Sequence, residues 1–338
     1  MRILLRPRLP VLALLLLAPT IPELLTGSTS ITWVVTDPLR FLFGFPLDIA
    51  LYGCGALLIR EFAVAYQKGW ASILLLGAAY GIAEEGFEVH TFFAPPAQTV
   101  GPLGIYGHLF GVNWLWALAL TVFHATYSIA LPILLTQLWF PTVKNVRWFD
   151  RGATGLVAGI FVAEVVGFGF LVGNGPSPAA LAFFIGVVTA LVALALWAPR
   201  YLLAARPGPR RVRRIGLVLL GTVEFAVYVL ILVFSSSWLI PAVGAAAVLV
   251  LANGTVLYLV VRWVGSEDLE RSEFYFAVGM LSALFVWDVL IEFILAPGIL
   301  AVSALFVYLL IRLDRTLKAR QASLTVPLGA VGLPPAGP

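Results

Sequence analysis

The sequence predicts an all-α protein: a polytopic transmembrane helix bundle of about ten spans, with the N- and C-termini on the cytoplasmic side. Three observations carry that expectation. Of 338 residues, 61% are hydrophobic and 11% charged, with a mean hydropathy of +1.00, whereas soluble domains are nearer ~25% charged. Apolar runs of roughly the 20 residues that cross a bilayer recur along the chain. The basic residues fall on alternate segments between those runs. This composition excludes a water-soluble enzyme, a nucleic-acid binder and a disordered chain.

Apolar runs punctuated by Pro, Gly and Arg place helices at 9–26, 44–66, 70–93, 113–140, 152–172, 179–199, 215–236, 240–262, 274–295 and 297–312. The first follows Arg2, Arg6 and Arg8, as a signal peptide would. No small-x-small cleavage site follows it, and Pro19 and Pro22 interrupt its end, so it reads as a retained anchor. With the N-terminus inside, the inner segments collect all but one of the 21 basic residues, Arg40 being the exception. The net charge of +4 is therefore a topology signal that sets orientation in a plasma membrane. The Arg-rich loop 199–214 anchors the bundle and offers a site for anionic lipid head groups. At the inner end of the second helix, Arg60 reads as a snorkelling cation beside an interfacial Glu61. Residues 1–320 form one transmembrane domain; 321–338, with four prolines and no charge, form a disordered tail. A single cysteine, Cys54, excludes an internal disulfide and a multi-thiolate metal site.

Ionisable groups inside hydrocarbon are costly and mark function. The densest set is Glu84, Glu85 and Glu88 in the outer half of the third helix. Glu84 and Glu88 share a face, and three acids within five residues call for a shared proton or a cation among them. His124 lies 11 residues past Asn113, about 16 Å down the fourth helix at 1.5 Å per residue. An antiparallel neighbour puts it at the depth of Glu84, with Ser128 one turn deeper. Carboxylate plus imidazole is both a metal-ligand set and a general acid–base set. Glu84, Glu85 and His124 are thus the candidate catalytic residues and the candidate ligands of a divalent metal. Glu88, Asp48, Asp288, Glu292 and Ser128 are candidates for a substrate or ion pathway. Glu164 and Glu224 are further acids inside helices. The Pro- and Gly-rich loop 94–112 is too irregular to span and reads as a cap over the acids.

The segments Tyr52-Gly-Cys-Gly-Ala-Leu-Leu-Ile-Arg-Glu61, Ala79-Tyr-Gly-Ile-Ala-Glu-Glu-Gly86, Gly111-Val-Asn-Trp114 and His124-Ala125 with Ser128-Ile129 carry a resemblance. Over about residues 20–141 the chain resembles a family of multi-pass bacterial and archaeal membrane proteins that has no assigned activity. The likeness implies that the polar cluster belongs to the family and supplies no substrate. A more partial likeness is to the CAAX-protease and bacteriocin-processing intramembrane proteases. Glu84-Glu85 and His124 match that family's first two elements in type and order. Val89 stands where its Arg is expected and Leu120 where its Phe is expected, and no histidine follows His124. Two functions fit the residues: a membrane-embedded hydrolase of peptide or lipid using Glu84, Glu85 and His124, or a proton- or cation-coupled transporter. A non-catalytic membrane subunit is the third.

Overall fold

Helix starts in this chain are set by short polar side chains just ahead of apolar runs. Asp37, Asn113, Asp150 and Ser177 each accept a hydrogen bond from the backbone N–H three residues on, and such caps contribute ~1 kcal/mol each. Pro38 and Pro178 follow two of them at the first helical position, where proline's missing N–H costs nothing. The computed structural model of the protein describes residues 8–93, 106–173, 175–234, 240–294 and 296–325.

Helix α1 (Arg8–Pro19) runs into a π turn (Thr20–Leu24). Helix α2 (Pro38–Ala65) starts earlier than the expected 44, because Asp37 and Pro38 cap it there. Helix α3 (Trp70–Ile82) continues as the π turn Ala83–Glu88. A two-residue hairpin, His108–Leu109 with Val112–Asn113, leads into α4 (Trp114–Trp139). There follow α5 (Arg151–Val172), α6 (Pro178–Trp197), α7 (Arg214–Phe234), α8 (Ala242–Trp263), α9 (Leu269–Ile291) and α10 (Ile299–Thr325). A helix lies within each of the ten expected ranges; 89–93 at the end of the third is not helical, and 235, 236 and 295 lie outside the described residues. Helix α10 runs past the expected end at 312 to Thr325, and the rest of the tail lies outside the described residues, as do 94–105 of the loop 94–112.

Seven helices are long and apolar enough to cross a membrane, short of the ten expected among the described residues. The shortfall has physical causes. The first helix with its π turn, Arg8–Pro19 and Thr20–Leu24, is 12 and 5 residues long and so falls short of a span, three acids end the apolar part of α3, and the second half of α10 is charged. Helix α4 is central, with 61% of its span buried, and α5 is peripheral, with 6%. The apolar side chains that α5 leaves exposed, Leu156, Val162 and Phe170 among them, are what a lipid-facing helix presents.

Contacts between connections sort them into two ends. At one, Lys68 donates to the carbonyls of Leu196 and Ala198, Lys144 lies 3.6 Å from Glu270, Arg210 pairs with Asp268 at 2.8 Å, and Arg320 donates to the Leu138 carbonyl at 2.8 Å. At the other, His90 bonds the Gly173 carbonyl, Tyr106 donates to the Ile240 carbonyl, and Gly298 packs on Ile31 and Thr32. The basic segments thus share one end. Arg60 and Glu61 do not snorkel there: they are 1% and 2% exposed. Arg60 stacks 3.7 Å over Trp148 and donates to the carbonyls of Val143, Lys144 and Val146. Glu61 accepts the backbone N–H of Trp148 at 3.0 Å. The loop tucks under the end of α2, and its buried backbone groups take the two charges as partners.

Candidate functional site

Helices α3 and α4 lie close because glycines line α3 where they meet. A Cβ on Gly77 would stand 2.9 Å from Ala125 Cα, and one on Gly81 2.8 Å from His124 Cβ. Both helices widen into π turns at this level, Ala83–Glu88 in α3 and His124–Ala130 in α4. Such turns re-aim side chains and recur at functional sites. The sequence pattern contains no sign of them.

The widened turns bring Glu84, Glu85 and His124 together, all buried. His124 Nε2 lies 3.0 Å from Glu85 Oε1, and Nδ1 lies 2.9 Å from Ser128 Oγ. Glu84 Oε2 approaches Nδ1 at 3.1 Å, off the angle of a hydrogen bond, and has no hydrogen-bond partner. One ligand atom from each of Glu84, Glu85 and His124 falls within 4.8 Å of the others. A second layer holds the outer oxygens. Tyr52 on α2 donates to Glu84 Oε1, Thr91 donates to Glu85 Oε2, and the Trp116 indole donates to Thr91 at 3.2 Å.

Two residues that the sequence reading passed over belong here. Glu23, in the π turn after α1, sits 2.6 Å from the Tyr52 hydroxyl and 3.0 Å from that of Thr29. Tyr52 therefore bridges Glu23 and Glu84. The available signal was an acid in the run Pro22-Glu23-Leu24-Leu25, masked by its place at a helix end. Tyr52 carried none, since a tyrosine in an apolar run is common.

The other candidates divide. Ser128 is in the cluster. Glu88, also buried, keeps one oxygen without a partner and meets Glu164 of α5. Asp48 stands beside Thr29, Glu23 and Glu164. Asp288 and Glu292 are elsewhere, in the α9–α10 hairpin. Ser303 donates to Asp288, while Glu292 accepts the backbone N–H groups of Gly298 and Leu300 at 2.9 and 3.0 Å. Their four-residue spacing serves the start of α10 rather than a path to α3. His90 bonds Gly173 and His108 bonds the Phe93 carbonyl, so neither joins His124.

This donor set suits a divalent cation. Two carboxylates and an imidazole are ligands of zinc, manganese or iron, and the unpartnered Glu84 Oε2 is a buried acceptor in want of a positive charge. Tyr52, Thr91 and Ser128 supply the outer hydrogen bonds that orient such ligands. Among the described residues no Lys or Arg pairs with Glu84, Glu85 or Glu88.

A family model described as an uncharacterized membrane protein family matches residues 12–326. No protein of curated function and no solved structure matches. The match lends no support to the likeness to CAAX proteases.

Proposed function

The chain belongs to this uncharacterized membrane protein family and has a lipid bilayer as its environment, and from that premise we propose that it is a membrane-embedded hydrolase acting on a peptide or lipid at Glu84, Glu85 and His124. One observation carries the reading: their ligand atoms lie within 4.8 Å of one another in a buried site. Glu84, Glu85 and His124 would hold a divalent cation, and the chemistry it would supply there is a water of lowered pKa and a polarised carbonyl or phosphoryl oxygen. Glu84 Oε2, which has no hydrogen-bond partner, is the oxygen that would be open to the cation or to a proton of the attacking water. Ser128 holds the His124 ring at Nδ1, and Nε2, which faces the Glu85 carboxylate fixed by Thr91, is the nitrogen that a cation would take. Tyr52 keeps Glu84 from turning away.

The ten helices cross the bilayer in alternation, with the basic end in the cytoplasm, which agrees with the segregation of their connections. In this arrangement the plasma membrane is the location, and the Arg-rich stretch 199–214 faces anionic head groups. A second reading, proton- or cation-coupled transport, draws support from the acids that extend the cluster: Glu23, joined to Glu84 through Tyr52, then Asp48, Glu164 and Glu88 beside one another. Such intramembrane acids form ion relays. Asp288 and Glu292 drop out of it.

Proteoliposomes of the wild type, Glu85→Gln and His124→Ala decide between the two. Each is assayed with divalent cations for release from a panel of phospholipids and membrane peptides, and with an internal pH dye for ion flux. Chelator-sensitive hydrolysis that both variants lose is the expected result. Flux that both variants lose, without hydrolysis, overturns the hydrolase in favour of transport. Wild-type behaviour in both variants overturns both readings.

A further inference from the structure

Helix α6 packs on α3, while α8 packs on α4 and α7. Between these groups lies a cavity of ≈ 630 Å³ that does not include Glu84, Glu85 or His124. That volume falls in the ~300–1,000 Å³ range of small-ligand sites. Its wall is mostly apolar, with Ile73, Leu131, Val256 and Met280 contributing. Polar groups that reach it have partners of their own: Glu224 accepts from the Tyr127 hydroxyl at 2.5 Å, Asn253 donates to the Leu249 carbonyl at 2.9 Å, Thr126 donates to the Val122 carbonyl at 2.9 Å, and Glu273 accepts from the Trp70 indole. The interior therefore makes no demand for a polar ligand.

The end of the cavity does. Lys68, Lys144 and Arg200, from three separate connections at the basic end of the bundle, all line it. Arg200 is exposed and has no ion pair among the described residues. Lys144 has one long ion pair, 3.6 Å to Glu270, and also faces Glu273 in the cavity wall, so the three cations outnumber the one acid that lines this end. Lys68 donates to backbone carbonyls, which leaves its charge unneutralised. An apolar chamber at bilayer depth with a cationic rim matches an amphiphile that is anionic at one end and hydrocarbon at the other. We propose that the cavity binds one anionic phospholipid, its head group against Lys68, Lys144 and Arg200 and one acyl chain between α3, α4 and α8. The site is independent of the hydrolase reading, because none of its residues touches the proposed chemistry.

Native mass spectrometry of the full chain, released from nanodiscs of equimolar phosphatidylglycerol and phosphatidylcholine, tests it. One retained phosphatidylglycerol per chain is expected. Lys144→Gln with Arg200→Gln lowers that retention roughly 10- to 30-fold, at about one screened charge interaction each. Val260→Trp, which places a bulky ring in the chamber and narrows it, lowers retention as well. A second readout leaves the cationic rim intact. Trp70 lines the cavity, so phosphatidylglycerol brominated on its chain quenches a share of tryptophan emission that is missing in Trp70→Phe, and brominated phosphatidylcholine does not. Equal retention and equal quenching by the two lipids overturn the proposal. So does phosphatidylglycerol retention that survives both the charge and the filling variants.

Discussion

Replacing Gly81 by Ala adds one methyl group at the tightest contact between the two helices that carry the site. The new Cβ would stand 2.8 Å from His124 Cβ and 3.3 Å from Thr121 Cα. Carbon atoms rest at ~3.5–4.0 Å, so α3 and α4 must part by about 1 Å. Neither neighbour is the loose end of a side chain, and the strain has nowhere else to go. Overpacking of this kind costs ~1–3 kcal/mol, offset by ~0.5–1 kcal/mol from removing a helix-interior glycine. The separation also stretches the 3.0 Å contact between His124 Nε2 and Glu85 Oε1 beyond hydrogen-bond range, a loss of ~1.5–3 kcal/mol. The net expectation is a destabilisation of about 2–5 kcal/mol. Cation affinity should fall ~10- to 100-fold, as when outer support of a metal site is lost. Thermal unfolding in detergent and titration with Mn²⁺ or Zn²⁺ measure the two effects. Gly159→Ala is the control, since nothing lies within 4 Å of its Cβ. If Gly81→Ala matches Gly159→Ala in both measurements, the close approach does not position His124.

Three further outcomes follow from the structure. Arg60→Met leaves buried Glu61 with only the longer contact to Arg147, at 3.8 Å, and frees the carbonyls of Val143, Lys144 and Val146; the loss should be about 3 kcal/mol, the low end for a broken buried pair, with faster trypsin cleavage near Lys144, and unchanged cleavage would refute the clamp. At the other end, the N–H groups of Leu300 and Gly298 hold the Glu292 carboxyl below its ordinary value of 4.5. A lowered folded-state pKa gives stability that is whole above the ordinary value and is lost as pH falls through the folded-state one. Wild type should therefore lose stability below about pH 4.5 more steeply than Glu292→Gln, and parallel acid curves would remove that role. A reporter fused after Arg320 should read cytoplasmic and one inserted at 94–105 external; the reverse pattern would invert the orientation.

Much of the fold was legible because apolar runs of bilayer length leave little choice of secondary structure. The acid–imidazole cluster was legible for a related reason: Glu84, Glu85 and His124 stand out against hydrocarbon, where each is expensive. The remainder depended on three-dimensional facts that spacing does not contain. Arg60 and Glu61 are adjacent in sequence, and only the fold of residues 143–149 beneath them turns an interfacial pair into a buried clamp. Glu292 looked like a partner of Asp288 at helical spacing, but α9 ends between them and its carboxylate turns to the start of α10. Glu23 lay too close to a helix end to count as intramembrane, and its bond to Tyr52 appears only once α1 and α2 are packed.

Equilibrium binding of Mn²⁺ or Zn²⁺ to the purified protein, with X-ray absorption at the metal edge, tests the Glu84–Glu85–His124 centre most directly. The expected result is one cation per chain, with one imidazole nitrogen and carboxylate oxygens at ~2.0–2.2 Å, and loss of binding in Glu84→Gln, Glu85→Gln and His124→Ala alike. No binding in folded wild type, or binding that persists unchanged in His124→Ala and Glu85→Gln, would contradict the centre.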